Sequence, residues 1–111
     1  MIKPGDMVTA DLPGVTGTKR RPAVVVSTDY HKHRPDVIVG IITTQTADAI
    51  APSDYLLQDW SAAGLHHASA FRAFLITLPA DSARLIGHCS DRDWRAIQNC
   101  LTRAIAVPVN S

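Results

Sequence analysis

The feature that most constrains the fold is a change of period along the chain. Up to Cys89 the apolar residues come in short runs rich in Val and Ile, broken by Gly, Pro and Asp. That is the pattern of strands joined by turns about every ten residues. From Ser90 onward the apolar residues recur at helical spacing.

MVTADL (Met7–Leu12) alternates apolar and polar, and PGVTGT reads as a loop. PAVVVST (Pro22–Thr28) is a second strand, with Pro22 suited to its first residue because proline has no N–H for the ladder. VIVGIITTQ (Val37–Gln45) is apolar throughout most of its length, as in a strand buried on both faces. Gly40 in its interior signals a bend or bulge. YLLQ, SAFRAFLITL (Ser69–Leu78) and RLIGHC (Arg84–Cys89) complete the strands, with a turn at Gly64. Ser90 is a good N-cap, and Asp91 and Asp93 lie in the first turn, where carboxylates suit the helix dipole. Trp94, Ile97, Leu101, Ala104 and Ile105 then form one face, and Pro108 ends the helix. The expected fold is α+β, a small bent sheet or barrel with one helix packed on it.

A chain of 111 residues is expected to be one domain, residues 1–111. The net charge is +1, but residues 1–34 carry six Lys/Arg against three Asp, and a local excess of that kind attracts phosphate. The chain has ten Asp and no Glu, so carboxylate chemistry falls to Asp. Cys89 and Cys100 have no metal-ligand or redox spacing. With no secretory h-region and no membrane-length apolar run, the chain is expected to be cytoplasmic with reduced thiols.

Four groups could carry chemistry. Arg21 precedes Pro22, which holds its backbone extended at the start of a strand, so its guanidinium can grip a phosphate through paired hydrogen bonds. Lys19 and Arg20 are read as the flexible part of the same basic loop, able to attract RNA or an acidic tail. Thr43, Thr44 and Gln45 close an apolar strand with groups that can bind a phosphate oxygen or a 2′-hydroxyl. Arg72 interrupts an otherwise apolar or small strand. His31 and His33 can transfer a proton near neutral pH, and the lack of a properly spaced third ligand argues against a metal. Each residue also fits an ordinary surface or strand role, so residue chemistry alone stops at a small α+β domain with a basic loop.

The ordered strings KPGDMVTADLPGVTGTKRRPAVVVST, IVGIITTQ, ASAFRAFLITL and RLIGHCSDRDW resemble the MazF/PemK family of toxins from type II toxin–antitoxin pairs, over about Pro4 to about Ala106. The resemblance implies a strongly bent β-barrel of the MazF/PemK (CcdB-like) type with a C-terminal helix, forming a homodimer. It implies metal-independent, cofactor-free, sequence-selective cleavage of single-stranded RNA, typically mRNA, to 2′,3′-cyclic phosphate and 5′-hydroxyl ends. Arg21 matches the family's Arg before Pro, a phosphate stabiliser first and a proton donor second. Thr43 matches the strand-end Thr that holds the scissile phosphate, and Arg72 the Arg of the later strand. Lys19, Arg20, Thr44, Gln45, His31 and His33 are the expected further RNA contacts. The implied partner is an antitoxin with an acidic, disordered tail. No acid follows Arg72 where some members carry a general base; His31, His33 and Asp36 are the substitutes, and the alternative is a catalytically weak or inactive nucleic-acid or partner-binding module on the same fold. A purely structural dimerising domain is the third reading.

Overall fold

The computed structural model describes residues 2–14, 17–28, 33–48 and 51–106. Six strands form one antiparallel sheet: β1 (Asp6–Gly14), β2 (Gly17–Val25), β3 (Asp36–Thr43), β4 (Tyr55–Leu56), β5 (Ala70–Pro79) and β6 (Arg84–His88). Their spatial order is β4-β5-β3-β2-β1-β6, and α1 (Asp91–Ala104) follows the last strand. The sheet curls into a half-barrel, as the sequence leads one to expect for an α+β domain of this kind.

Alternation along the strands gives the sheet two apolar faces. Met7, Val24, Ile42 and Phe71 lie with Ile97 and Cys100 of α1 on one face. Val8, Ala10, Leu12, Ala23, Val25, Val39 and Leu78 form a second cluster on the other. No residue of β3, the strand between β5 and β2, is exposed, which accounts for its continuous apolar sequence. Gly40 sits where the β3–β5 register shifts, as expected of a bulge. A Cβ there would run into the ring of Phe71, which is fully buried. Gly64 has φ +92°, and a Cβ on it would meet the Ile86 carbonyl, so the turn before β5 needs glycine twice over.

Two expectations need correction. The β1–β2 ladder does not stop at Pro13 but runs out to Gly14 opposite Gly17, so β2 begins five residues before Pro22. Lys19 and Arg20 are therefore strand residues opposite Leu12 and Asp11, not parts of a flexible loop. Backbone pairing with β1 carries this segment, and polar side chains tolerate it because they are exposed. Pro22 is interior to β2, at the step just before the β2–β3 ladder starts with Ala23 opposite Ile41. The helix also ends early: Ile105 is extended and caps it, so Ala104 and Ile105 are exposed rather than part of the packed face. Cys100 takes their place in the core, because burial follows the Trp94-Ile97-Cys100-Leu101 stripe.

Ser90 caps α1 as expected, its Oγ accepting from the Asp93 N–H at 3.3 Å. Asp93 does more than face the dipole. It is fully buried and accepts from Tyr55 Oη (2.6 Å), Gln58 N (3.1 Å) and Asp59 N (2.8 Å). Asp59 in turn takes a bidentate grip from Arg92, with both N–O distances 2.7 Å. The start of α1 is thus pinned to the chain leaving β4.

Candidate functional site

Residues paired across neighbouring strands share a face of the sheet. Arg21 is paired with Ala10, and Ala10 belongs to the cluster on the face away from α1. On that face Ala23 pairs with Ile41, and Ile41 with Arg72. Two residues toward the end of the ladder on each strand stand Arg21 and Thr43. Continuing the register sets them opposite each other, just past the point where β2 and β3 cease to pair. Arg72 lies on the diagonal from Thr43, a spacing of about 7–8 Å between such neighbours. Arg21, Thr43 and Arg72 are therefore brought together on one face by three adjacent strands.

The state of the two arginines distinguishes them from ordinary surface cations. The Nε atoms of Arg21 and Arg72 are buried, and among the described residues neither has a hydrogen-bond partner. Leaving a buried donor unsatisfied costs about 1–3 kcal/mol, so each of these atoms calls for an acceptor that the described residues do not supply at hydrogen-bonding distance. Arg72 is held from one side by Asp54, whose Oδ1 lies 3.7 Å from Nε and whose side chain is only 4% exposed. Asp54 Oδ2 accepts from Ala51 N at 3.2 Å, which fixes the carboxylate. From the other side the Arg72 guanidinium lies over the ring of Phe74, 4.7 Å from its centroid. Thr43 Oγ1 accepts from Gln45 N at 3.1 Å, which orients the hydroxyl and leaves its proton free to donate.

The remaining sequence candidates divide. Lys19 shares the Arg21 face, being two residues along the strand, whereas Arg20 falls on the opposite face and pairs with Asp11 at 3.7 Å. The three consecutive cations are therefore split by the pleat, two to one side and one to the other. Thr44 and Gln45 are exposed just beyond Thr43. His33 is exposed, and Asp36, with Arg34 at 3.4 Å, begins β3. Asp36 is seven residues from Thr43, about 23 Å along a strand, so within this chain Asp36 does not join the arginines. His31 lies outside the described residues.

Asp54 is the residue that sequence reasoning missed. Tyr55 pairs with Phe71, and one further step along the same register brings Asp54 opposite Arg72. The signal available was an Asp immediately before a short strand, which is weak without the register. A separate open recess of about 510 Å³ at the β1–β6 edge is lined by Lys3, Asp6, Leu85, Ile86, Gly87 and His88. There Asp6 lies 2.8 Å from His88 Nδ1 and accepts from Lys3 N, closing the turn before β1. It is several strands from Arg72, and the two orphaned arginine donors lie elsewhere. Among the described residues no three His, Cys or Asp side chains group as metal ligands, and no helix is long and apolar enough to cross a membrane.

A curled antiparallel sheet with a single terminal helix and a paired-arginine face defines the class, and comparison identifies the family. A model of the PemK-like, MazF-like toxins of type II toxin–antitoxin systems matches residues 3–105. The chain belongs to that family. A comparison with curated proteins found no match. Solved structures agree in fold. An endoribonuclease in complex with its cognate antitoxin, from a mycobacterial species, superposes with TM-score 0.79 at 21% identity, covering 99% of this chain and 100% of that one. MazE–MazF from Deinococcus radiodurans gives 0.68 at 16%, covering 92% of each chain. A structure described as an Mtb toxin gives 0.66 at 18%, covering 87% of this chain and 99% of that one. At such identities the likeness is one of fold.

Proposed function

We propose that this toxin acts as an endoribonuclease that cuts single-stranded RNA by transesterification without a metal ion. The observation that carries the reading is the meeting of Arg21, Thr43 and Arg72 on one face, with both arginine Nε donors buried and without a hydrogen-bond partner among the described residues. The reaction needs stabilisation of a phosphorane, and fixed guanidinium donors on strands supply charge without changing protonation state. In this reading the 2′-oxygen bonds to phosphorus, the bond to the 5′-oxygen breaks, the 2′ proton leaves and the 5′-oxygen takes one up. Arg21 and Arg72 meet the non-bridging oxygens, and Thr43 donates its proton to one of them. Lys19, on the Arg21 face, and Thr44 and Gln45, just beyond Thr43, contact the flanking RNA.

The partner reading follows the neighbours, two of which are complexes with an antitoxin. A cognate antitoxin with an acidic, disordered segment suits the Lys19–Arg21–Arg72 face, and folding on that face would block RNA. A homodimer in the cytoplasm completes the proposal. One observation favours a second reading, binding without cleavage: the carboxylate at Arg72 is Asp54, which is buried and already engaged.

Incubating the purified chain with mixed-sequence single-stranded RNA in EDTA separates the readings. Cleavage by the wild type that Arg21→Ala loses supports the enzyme. Binding of RNA with no cleavage moves the assignment to the second reading.

A further inference from the structure

Phe74 is the most exposed large apolar residue among those described, at 57%. A phenylalanine left in water in the middle of a ten-residue strand calls for a reason. Its neighbourhood supplies one. Ile41 pairs with Arg72 and Gly40 with Leu75, so Ala73 and Phe74 have no partners on β3 and the strand bulges there. Ala73 packs on the helix-side cluster, which sends Phe74 to the face of Arg72, Thr43 and Arg21. One side of its ring is covered by the Arg72 guanidinium, 4.7 Å from the centroid. That contact fixes the ring and leaves its exposed side as a flat apolar shelf beside a phosphate-gripping cation.

We propose that Phe74 is a nucleobase platform: a base of single-stranded RNA adjoining the phosphate held by Arg72 stacks on the exposed side of the Phe74 ring. The proposal deepens the RNA-cleaving reading and rests on it. The chemistry that binds single strands without reading their edges is an aromatic face beside a cationic track, and the Arg21–Arg72 face with Phe74 has both parts. The positive charge of Lys19, Arg21 and Arg72 on this face favours a polyanion over an apolar protein segment as the occupant. A ring pre-oriented by the guanidinium loses little entropy on stacking, and the guanidinium–ring–base order lets one arginine serve both the phosphate and the platform.

The test uses the full chain and a short single-stranded 2′-O-methyl RNA of mixed sequence, which cannot be cut because no free 2′-hydroxyl is present. Affinity is read by fluorescence anisotropy at several salt concentrations for wild type, Phe74→Ala, Phe74→Leu, Phe74→Tyr and Leu85→Ala. Leu85 is 52% exposed but lies on β6, the opposite edge strand of the sheet, and controls for loss of any exposed apolar side chain. Phe74→Ala and Phe74→Leu are expected to weaken binding about 5- to 150-fold, the range of one lost base–aromatic stack. Phe74→Tyr and Leu85→Ala keep wild-type affinity, and the salt slope is unchanged because no phosphate contact is removed. A wild type that binds, beside a Phe74→Ala or Phe74→Leu that binds within about twofold of it, overturns this inference alone. So does a Phe74→Ala that falls apart from dimer to monomer in sedimentation, since Phe74 is then a contact between copies. A wild type that binds no RNA overturns the functional reading, and this inference with it.

Discussion

Replacing Asp93 by Ala tests the junction that ties α1 to the sheet. The carboxylate is fully buried and accepts three hydrogen bonds, from Tyr55 Oη, Gln58 N and Asp59 N. Hydrogen bonds to a charged acceptor contribute about 1.5–3 kcal/mol each and are not additive. Removing one partner of a buried charged network costs about 3–5 kcal/mol, and that is the expected loss for Asp93→Ala. The whole domain is expected to hold about 5–15 kcal/mol, so the loss is a large share of it. At 111 residues the unfolding entropy is on the order of 0.23 kcal/mol per kelvin, which converts the loss to a drop in Tm of about 13–22 °C. Tyr55→Phe removes one donor but leaves the carboxylate with two amides, and is expected to cost about 1–2 kcal/mol. Urea denaturation followed by tryptophan fluorescence reads both variants, because Trp60 and Trp94 pack against this same cluster. An Asp93→Ala midpoint within about 1 kcal/mol of wild type would refute the reasoning, as would a larger loss in Tyr55→Phe than in Asp93→Ala.

Three further outcomes follow from single observations. Burial, and then the Asp93 carboxylate, push the Tyr55 hydroxyl up to about 12 from its ordinary 10. Above pH 10 the unfolded phenol ionises while the folded one does not, so thermal stability falls between pH 10 and about 12, and Tyr55→Phe flattens that part of the profile. Gly40→Ala drives a methyl into the buried Phe71 ring and is expected to cost about 1–3 kcal/mol in urea denaturation; a neutral result would mean that the ring can move aside. Burial pushes the Cys89 thiol up to about 12 and Cys100 above its usual value, so neither reacts with a disulfide reagent at pH 8 until the chain unfolds. Rapid labelling of the native protein would contradict the buried placement.

How much of this is legible in the sequence depends on the range of the interaction. The strand runs, the Gly40 bulge and the Ser90 cap are local and could be read directly. The extent of the β1–β2 hairpin could not, because Thr18 to Arg21 carry no apolar alternation to announce a strand; backbone pairing with Pro13 to Ala10 makes it one. Locally, Asp93 reads as a dipole partner near the helix start. Its burial depends on Tyr55, Gln58 and Asp59, more than thirty residues away. Arg21, Thr43 and Arg72 were each visible by residue type, but their common face follows from the registers of three strands. Asp54 and Phe74 became informative only with that register, since each gains its meaning from Arg72.

The central claim is that this arginine face cuts RNA through the 2′-hydroxyl. The most direct measurement is mass analysis of products from a single-stranded RNA and from the same strand with one 2′-deoxy nucleotide at the cleaved position. Wild type is expected to leave a 2′,3′-cyclic phosphate and a 5′-hydroxyl on the first strand in EDTA. It is expected not to cut the deoxy strand at that position, with Arg21→Ala and Arg72→Ala each slower by about 10²- to 10³-fold. Cleavage at the deoxy position, or arginine variants that cut at the wild-type rate, would contradict it.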